Sequence, residues 1–300
     1  MATATATATP EPALTIDAVT ADLGPISQNP LWYFAGGHWL YADDLNDTIV
    51  YDGKLVAHGH PVTAALSQNG LHYAYTLAEG LSVYVDGRSV TTGTYLPDVF
   101  AVSDDGSTVL YSDTDGFNGP GAIYRNGTAI FNAPVSIGQA VGSADAMHYV
   151  AAVDGGRSVA SLVYDGRTVA TSGITGSTTP MISPDGSHYG VYTIGEASGV
   201  TSVDGVAVLA AGDSGRGGEV TDSGHWVVLD GAADFAPRVD GVIDGPPAAE
   251  AVINNDATEV AVDDSVAGMV LVNGKQVAKA SIDTYLDLVG NTLYVYDIET

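Results

Sequence analysis

Cysteine is absent from the 300-residue chain, which excludes disulfides and thiolate metal sites. Positive charge is scarce: nine Lys and Arg stand against 36 Asp and Glu, a formal net charge of −27. A phosphate-binding surface needs clustered Lys and Arg. No cluster exists, so nucleic acid and anionic membranes are disfavoured as partners. No run of about 20 apolar residues is present to span a bilayer as a helix. The opening segment MATATATATPEPA has neither the basic nor the apolar region of a secretory signal. The expectation is an intracellular product, or one released by another route such as within a virus particle. Helical periodicity is missing along the chain.

What is present is a repeat. One signature is a turn followed by His, Tyr or Trp-type residues: SQNGLHYAY at 67–75, SDDGSTVLY at 103–111, SPDGSHYGVY at 183–192. It ends at Gly37, Gly70, Gly106, Ala146, Gly186, Gly224, Ala257 and Gly290. The other is an apolar strand closed by Asp/Asn-Gly, as in IVYDG at 49–53 and LVYDG at 162–166. It ends at Gly53, Gly87, Gly127, Gly166, Gly205, Gly241 and Gly274. The two interleave with neighbouring anchors 16 to 21 residues apart, a full period of 33 to 40 residues. Such a period signals a solenoid, propeller or array. Each half-period fits two strands of about 5–6 residues, and four strands per period make a propeller blade.

Asn/Asp-Gly pairs are the chemistry of two-residue hairpin turns, where both central residues need positive φ. Each blade therefore reads as strand a, tight turn, strand b, longer loop, strand c, tight turn, strand d. Strand a is the most apolar (LWYFAGG at 31–37, DVFAV at 98–102, TYLDLVG at 284–290), which suits the centre of a ring. Ala146 and Ala257 stand where the other turns have Gly, so less tight turns are expected there. Eight a–b units face seven c–d units, and the missing outer strands can come from LTIDAV at 14–19. That would pair both termini in one blade and remove exposed edges. The expected fold is all-β: a single propeller of four-stranded antiparallel blades over 14–300, with eight blades favoured and seven the alternative. Residues 1–13 form a low-complexity arm. Disorder is its simplest reading, but alternating Thr also suits a strand that adds to the last blade or to a neighbouring subunit.

The repeat resembles the propeller families with Ser-Pro-Asp-Gly turns, relatives of the Trp-Asp repeat propellers. SPDGSHYGVY (183–192) with TSVDGVAV (201–208) carries the likeness most clearly, and it extends over roughly 30–300. It implies a fold and a habit of binding, not an activity. The acidity makes this a halophile-type version: Debye length falls from about 10 Å at 0.1 M salt to about 3 Å at 1 M, and unscreened charge of this size would push the ring apart. Part of it has a simpler cause, because 29 of the 36 acids are Asp and many sit in turns.

Five His share one repeat position: His38, His72, His148, His188 and His225, each followed by Trp or Tyr. A repeated side chain that packs and hydrogen-bonds alike in every blade is the plain reading; a pH-sensitive ring is the other. His58 and His60 sit two apart, a spacing that in a strand turns both one way toward a metal. Asp113, Asp115 and Asn118 in SDTDGFNG (112–119) alternate oxygen ligands as a calcium loop does, without its closing Glu. Gly212-Asp213-Ser214-Gly215 echoes a serine-protease nucleophile but lacks that chemistry's surroundings. GFNGPG at 116–121 precedes a strand, not the helix a phosphate loop needs. Asn46 and Asn126 head glycosylation sequons, the latter better explained by its turn.

The b–c and d–a loops vary in length and share one face of the ring, where recognition usually sits. Tyr95, Phe117, Phe131 and Phe235, with Arg216, are its candidate anchors, although each can instead plug its own loop. The expectation is a non-catalytic structural propeller of a salt-adapted assembly, binding other protein subunits as a spike, turret or decoration of a virion surface. A glycan- or cation-binding adhesion propeller is the alternative, and a hydrolase or lyase using acids at the ring mouth stands behind it. The cytoplasm of a halophile is the alternative location.

Overall fold

The structure, a computed structural model, describes residues 14–22, 31–116, 119–154, 160–172, 177–194, 201–209, 215–264, 266–281 and 284–299. Strands dominate; the one helical piece among the described residues is the 3₁₀ turn Gly231–Ala233. Blade 1 comprises Leu31–Ala35, His38–Asp43, Thr48–Tyr51 and Lys54–His58 as strands a to d. Blades 2 to 7 repeat that four-stranded antiparallel order over residues 61–92, 98–133, 136–172, 177–207, 215–243 and 250–279. Blade 8 pairs Thr284–Val289 with Thr292–Glu299, and Thr15–Asp22 adds to the latter.

The eight-bladed ring closed by both ends of the chain is therefore present. Its closing blade differs in two ways from the expected pattern. It has three strands among the described residues, and the third runs parallel, from Thr15 opposite Thr292 to Asp22 opposite Glu299. No hairpin joins that strand to its neighbour, so nothing forces the antiparallel direction.

Strand a of each blade touches strand a of the next, and Leu31–Ala35 completes the circuit against Thr284–Val289. Strand a is thus innermost, but it is not the best buried. That place belongs to strand b: Val109, Leu110 and Tyr111, or Val227, Val228 and Leu229, are almost wholly covered. Strand a lines an open channel, whereas strand b has a neighbouring blade on each face. One apolar core fills each of the eight junctions. The junction that closes the ring is the most aromatic: Trp32 stacks near Phe34 and Tyr41, and Phe34 meets Tyr285 and Tyr296 of blade 8 at centroid distances of 4.8 and 4.6 Å.

Turn chemistry sets the register. In the c–d turns the Asp/Asn has φ of 46–49° and the following Gly 74–89°, the type I′ geometry the sequence predicts. In the a–b turns the Ser67, Ser103, Ser143 and Ser183 hydroxyls donate to Asn69, Asp105, Asp145 and Asp185. The same hydroxyls accept the N–H of His72, Thr108, His148 and His188. Ala146 and Ala257 do not loosen their turns. They take φ of 53° and 55°, and their N–H groups reach Ser143 and Asn254 at 2.8 and 3.0 Å, as Gly70 and Gly224 reach Ser67 and Thr221 at 2.9 and 3.0 Å.

Gly70 and Gly274 both have positive φ, but a methyl group on Gly70 would lie 2.2 Å from the Ala35 carbonyl oxygen, while Gly274 faces open space. Gly70→Ala is expected to cost roughly 2 kcal/mol more than Gly274→Ala, the usual scale of an overpacking strain. Denaturant melts of the two variants check this; equal losses would contradict it.

Candidate functional site

The repeated histidines each serve their own blade. Nδ1 of His38, His72, His148, His188 and His225 lies 2.6–2.8 Å from Oδ2 of Asp52, Asp86, Asp165, Asp204 and Asp240 in the c–d turn. The other oxygen of each Asp accepts the N–H of Trp39, Tyr73, Tyr149, Tyr189 or Trp226 at 3.0–3.2 Å. The clamp thus ties the start of strand b to the c–d hairpin. Blades 3 and 7 carry Thr108 and Glu259 in place of His, and there the turn residue is Asn126 or Asn273. The amide oxygen keeps the bond to Val109 or Val260, and the NH₂ turns to the Ser107 or Thr258 carbonyl. A carboxylate stands where an imidazole can donate, an amide where none is present.

The same rings touch the next blade. A Cβ on Gly70, Gly106, Gly186 or Gly224 would come within 2.5–2.9 Å of His38, His72, His148 or His188 of the preceding blade. The two signatures are therefore halves of one contact. This is the structural reading of the His, and it keeps the five rings in separate clamps.

Other candidates fare differently. His60 lies 3.2 Å from Asp47, and its N–H reaches the Glu79 carboxylate. Strand d ends at His58, and Gly59 has φ of 135°, so the alternation meant to aim both His one way does not hold. Asp113 is buried, and its carboxylate accepts the N–H groups of Thr94 and Tyr95. It anchors the loop before blade 3 instead of standing open to a cation. Asp115 lies beside the Tyr95 hydroxyl, and its charge, with burial and their hydrogen bond, raises that phenol's pKa. Tyr95, Asp113 and Asp115 are thus brought together. Phe117 and Asn118 lie outside the described residues, as do most of the GDSG stretch and the side chain of Arg216. Phe131 belongs to strand d of blade 3 and packs against the core between blades 3 and 4. Phe235 follows the 3₁₀ turn and packs into the core between blades 6 and 7. Those two plug their own surroundings. Asn126 is held in its turn, and Asn46 donates to Asp43. Among the described residues no three His, Asp or Glu side chains converge to hold a metal ion.

The loop face exposes apolar side chains that aromatic-weighted reasoning passed over. Leu45 and Val266 sit in the b–c loops of blades 1 and 7 and are 70% and 97% exposed. Tyr95 and Leu96 share a d–a loop, and Leu31 and Tyr285 open strand a of neighbouring blades; all four are exposed. The signal in the sequence was an aliphatic residue following an acidic pair, as in DDLND and DDSVA.

The channel has cavities of about 600 Å³ toward the loop face and about 610 Å³ toward the turn face. Carboxyls on its wall bond forward along the ring, each to the backbone of the next blade. Glu219 accepts the Ile253 N–H at 3.2 Å, Glu250 that of Leu286 at 2.7 Å, and Asp287 that of Gly36 at 2.7 Å. Tyr33 and Thr63 do the same for Ala64 and Val99. Burial, reinforced by mutual repulsion, pushes Glu219 up to about 8 and Glu250 to about 7. Burial lifts Asp287 to about 6. Asp263 beside Glu250 also rises to about 6 through burial and the charge of Asp264. At the turns the trend reverses: hydroxyls of Ser103 and Ser107 hold Asp105 near 2.

Two expectations follow from these bonds. Asp165→Ala strips both partners from the blade 4 clamp and is expected to cost about 1–3 kcal/mol, with Asp165→Asn costing less because the Tyr149 bond survives. Equal losses in urea melts would count against the clamp. The raised carboxyls hold protons in the folded state that the unfolded chain has lost, so stability falls as pH rises from about 4.5 to about 8. The turn carboxylates lose their bonds as pH drops from 3.8 toward 2. Stability is therefore expected to peak near pH 4–5. Glu219→Gln should raise Tm by a few degrees at pH 8 and leave it unchanged near pH 4.5; thermal scans at the two pH values test this.

No protein-family model and no curated protein matches the chain. Among solved structures, it is similar to a chain described as the eukaryotic initiation factor, with TM-score 0.52 and 11% identity over 90% of this chain and 80% of that one. The Dos1 propeller (TM-score 0.48, 11% identity, 81% and 78% covered) and hydrazine synthase of Kuenenia stuttgartiensis (0.43, 12%, 83% and 78%) match with lower scores. At these identities the likeness is one of fold alone, and that fold is the β-propeller.

Proposed function

We propose that this propeller is a non-catalytic docking scaffold that binds other protein subunits through its loop face, in an assembly working in concentrated salt. A virion-surface subunit (spike, turret or decoration) is the form that fits best. The observation that carries the reading is the set of exposed apolar side chains at the loop tips, Leu45 and Val266 above all, on a chain of net charge −27. Apolar tips on a rigid, strongly charged scaffold are where a protein partner gains burial. The repeated His and the channel acids are occupied with internal bonds, which favours a structural over a catalytic role. The charge itself supports the salt-adapted setting, since molar salt shortens the Debye length to about 3 Å.

Two measurements test this. Tm is expected to rise by several degrees between 0.1 M and molar KCl; a flat response would argue against salt adaptation. In molar salt, the doubly substituted chain Leu45→Asp, Val266→Asp is expected to lose co-purification with its native particle while keeping its Tm. Undiminished co-purification of that variant would remove the loop face as the docking surface.

A further inference from the structure

The channel cavity toward the loop face, about 600 Å³, is built where strand a departs from regular pairing. In blades 2, 3 and 4 the a–b register shifts, between Pro61 and Thr63, between Val99 and Ala101, and between Ile137 and Ala140. Blades 1, 5, 7 and 8 pair strands a and b without such a shift. A bulge takes residues out of the ladder and re-aims their side chains, a device common beside binding sites. Here it frees Phe100, Gly138 and Gln139, and all three line the cavity. Gln139 is exposed there.

The wall is aromatic and carries one charge. Trp32 and Phe34 of blade 1 join Phe100 of blade 3, and the first two rings lie 5.8 Å apart, parallel within 7°. Asp98 is the one charged side chain among the described lining residues. It opens onto the channel while protein crowds it: burial raises its pKa, opposed by a hydrogen bond with Thr63. Burial also raises the Tyr33 phenol, and the Asp98 charge adds to that rise. Among the described residues no Lys, Arg or His forms an ion pair with Asp98.

A carboxylate without a counter-ion, set among aromatic rings, has the chemistry that takes an ammonium head. The carboxylate supplies the opposite charge, and the negative faces of the rings supply the remainder. Small-molecule sites are clefts of roughly 300–1,000 Å³, mostly apolar or aromatic with a few placed polar groups. A bare metal cation would need several converging oxygens, and among the described residues no three His, Asp or Glu side chains converge to hold one. An anion is repelled by Asp98 and by the net charge of −27, which draws cations toward the ring.

We propose that this cavity binds a small organic ammonium ion, held by Asp98 against the Trp32, Phe34 and Phe100 rings with Gln139 beside it. The site lies inside the channel and does not depend on what the loop tips bind.

Isothermal titration calorimetry in molar KCl at neutral pH tests it. The probes are choline and the neutral alcohol in which a tert-butyl group replaces the trimethylammonium group. The expected result is saturable one-site binding of choline, and none of the alcohol. Asp98→Asn is expected to weaken choline binding about tenfold or more, the scale of losing one charged partner. Gln139→Lys, which sets a competing ammonium in the same cavity, is expected to abolish it. A chain that does not bind choline overturns the proposal. So does a chain that binds the alcohol equally well, or an Asp98→Asn chain that binds choline undiminished. Should Asp98→Asn fail to fold, Gln139→Lys decides: loss of choline binding supports, undiminished binding overturns.

Discussion

Each blade begins with a strand that is an edge, and an edge has N–H groups that no sheet neighbour can take. Left unpaired and away from water, such groups cost as much as a lost hydrogen bond. At five junctions the side chain of the preceding blade supplies the partner: Tyr33 to Ala64, Thr63 to Val99, Glu219 to Ile253, Glu250 to Leu286, Asp287 to Gly36. The ring is thereby tied head to tail along its inner wall, and the apolar junction cores act behind that tie. Where the partner is a carboxyl, burial raises its pKa, so the same device that closes the wall makes the ring sensitive to pH.

The outer half of each blade solves a second problem, which is how to hold register in strands of only two to six residues. The Asp of the c–d turn binds both the His and the N–H at the start of strand b, and the His fills the space left by a Gly in the next blade. In four of the five His blades a local turn and an inter-blade contact therefore rest on one side chain. The Asn126 and Asn273 blades keep the local half of this device without the ring. The loop face carries none of this repetition, which leaves its tips free to vary and to present Leu45, Leu96 and Val266 to a partner.

Much of this was legible in the residues themselves. Asp-Gly and Asn-Gly at a 33–40 residue period named the hairpins, and the unequal number of a–b and c–d units pointed to closure by the N-terminal strand. The recurrent Ser of SQNG, SDDG and SPDG was visible, though its double bonding was not. The candidate site was less legible. Asp113 alternates with Asp115 as ligands do, yet its partners are the N–H groups of Thr94 and Tyr95, 19 and 18 residues earlier in the chain. Phe131 and Phe235 look like interface anchors in a loop-rich stretch, and only packing shows them facing cores. The aliphatic tips were missed because one Leu or Val among acids has no periodicity to betray it.

Sequence alone determined the local geometry and the repeat, and favoured eight units over seven, because turn type and strand alternation depend on residues within a few positions of each other. Only the tertiary structure decided the direction of the closing strand, the burial of strand b over strand a, and which acids face a neighbour's backbone. Those depend on side chains that meet across 30 to 260 residues of chain, and no local preference records which of many equivalent Asp or Glu will be enclosed when the ring shuts.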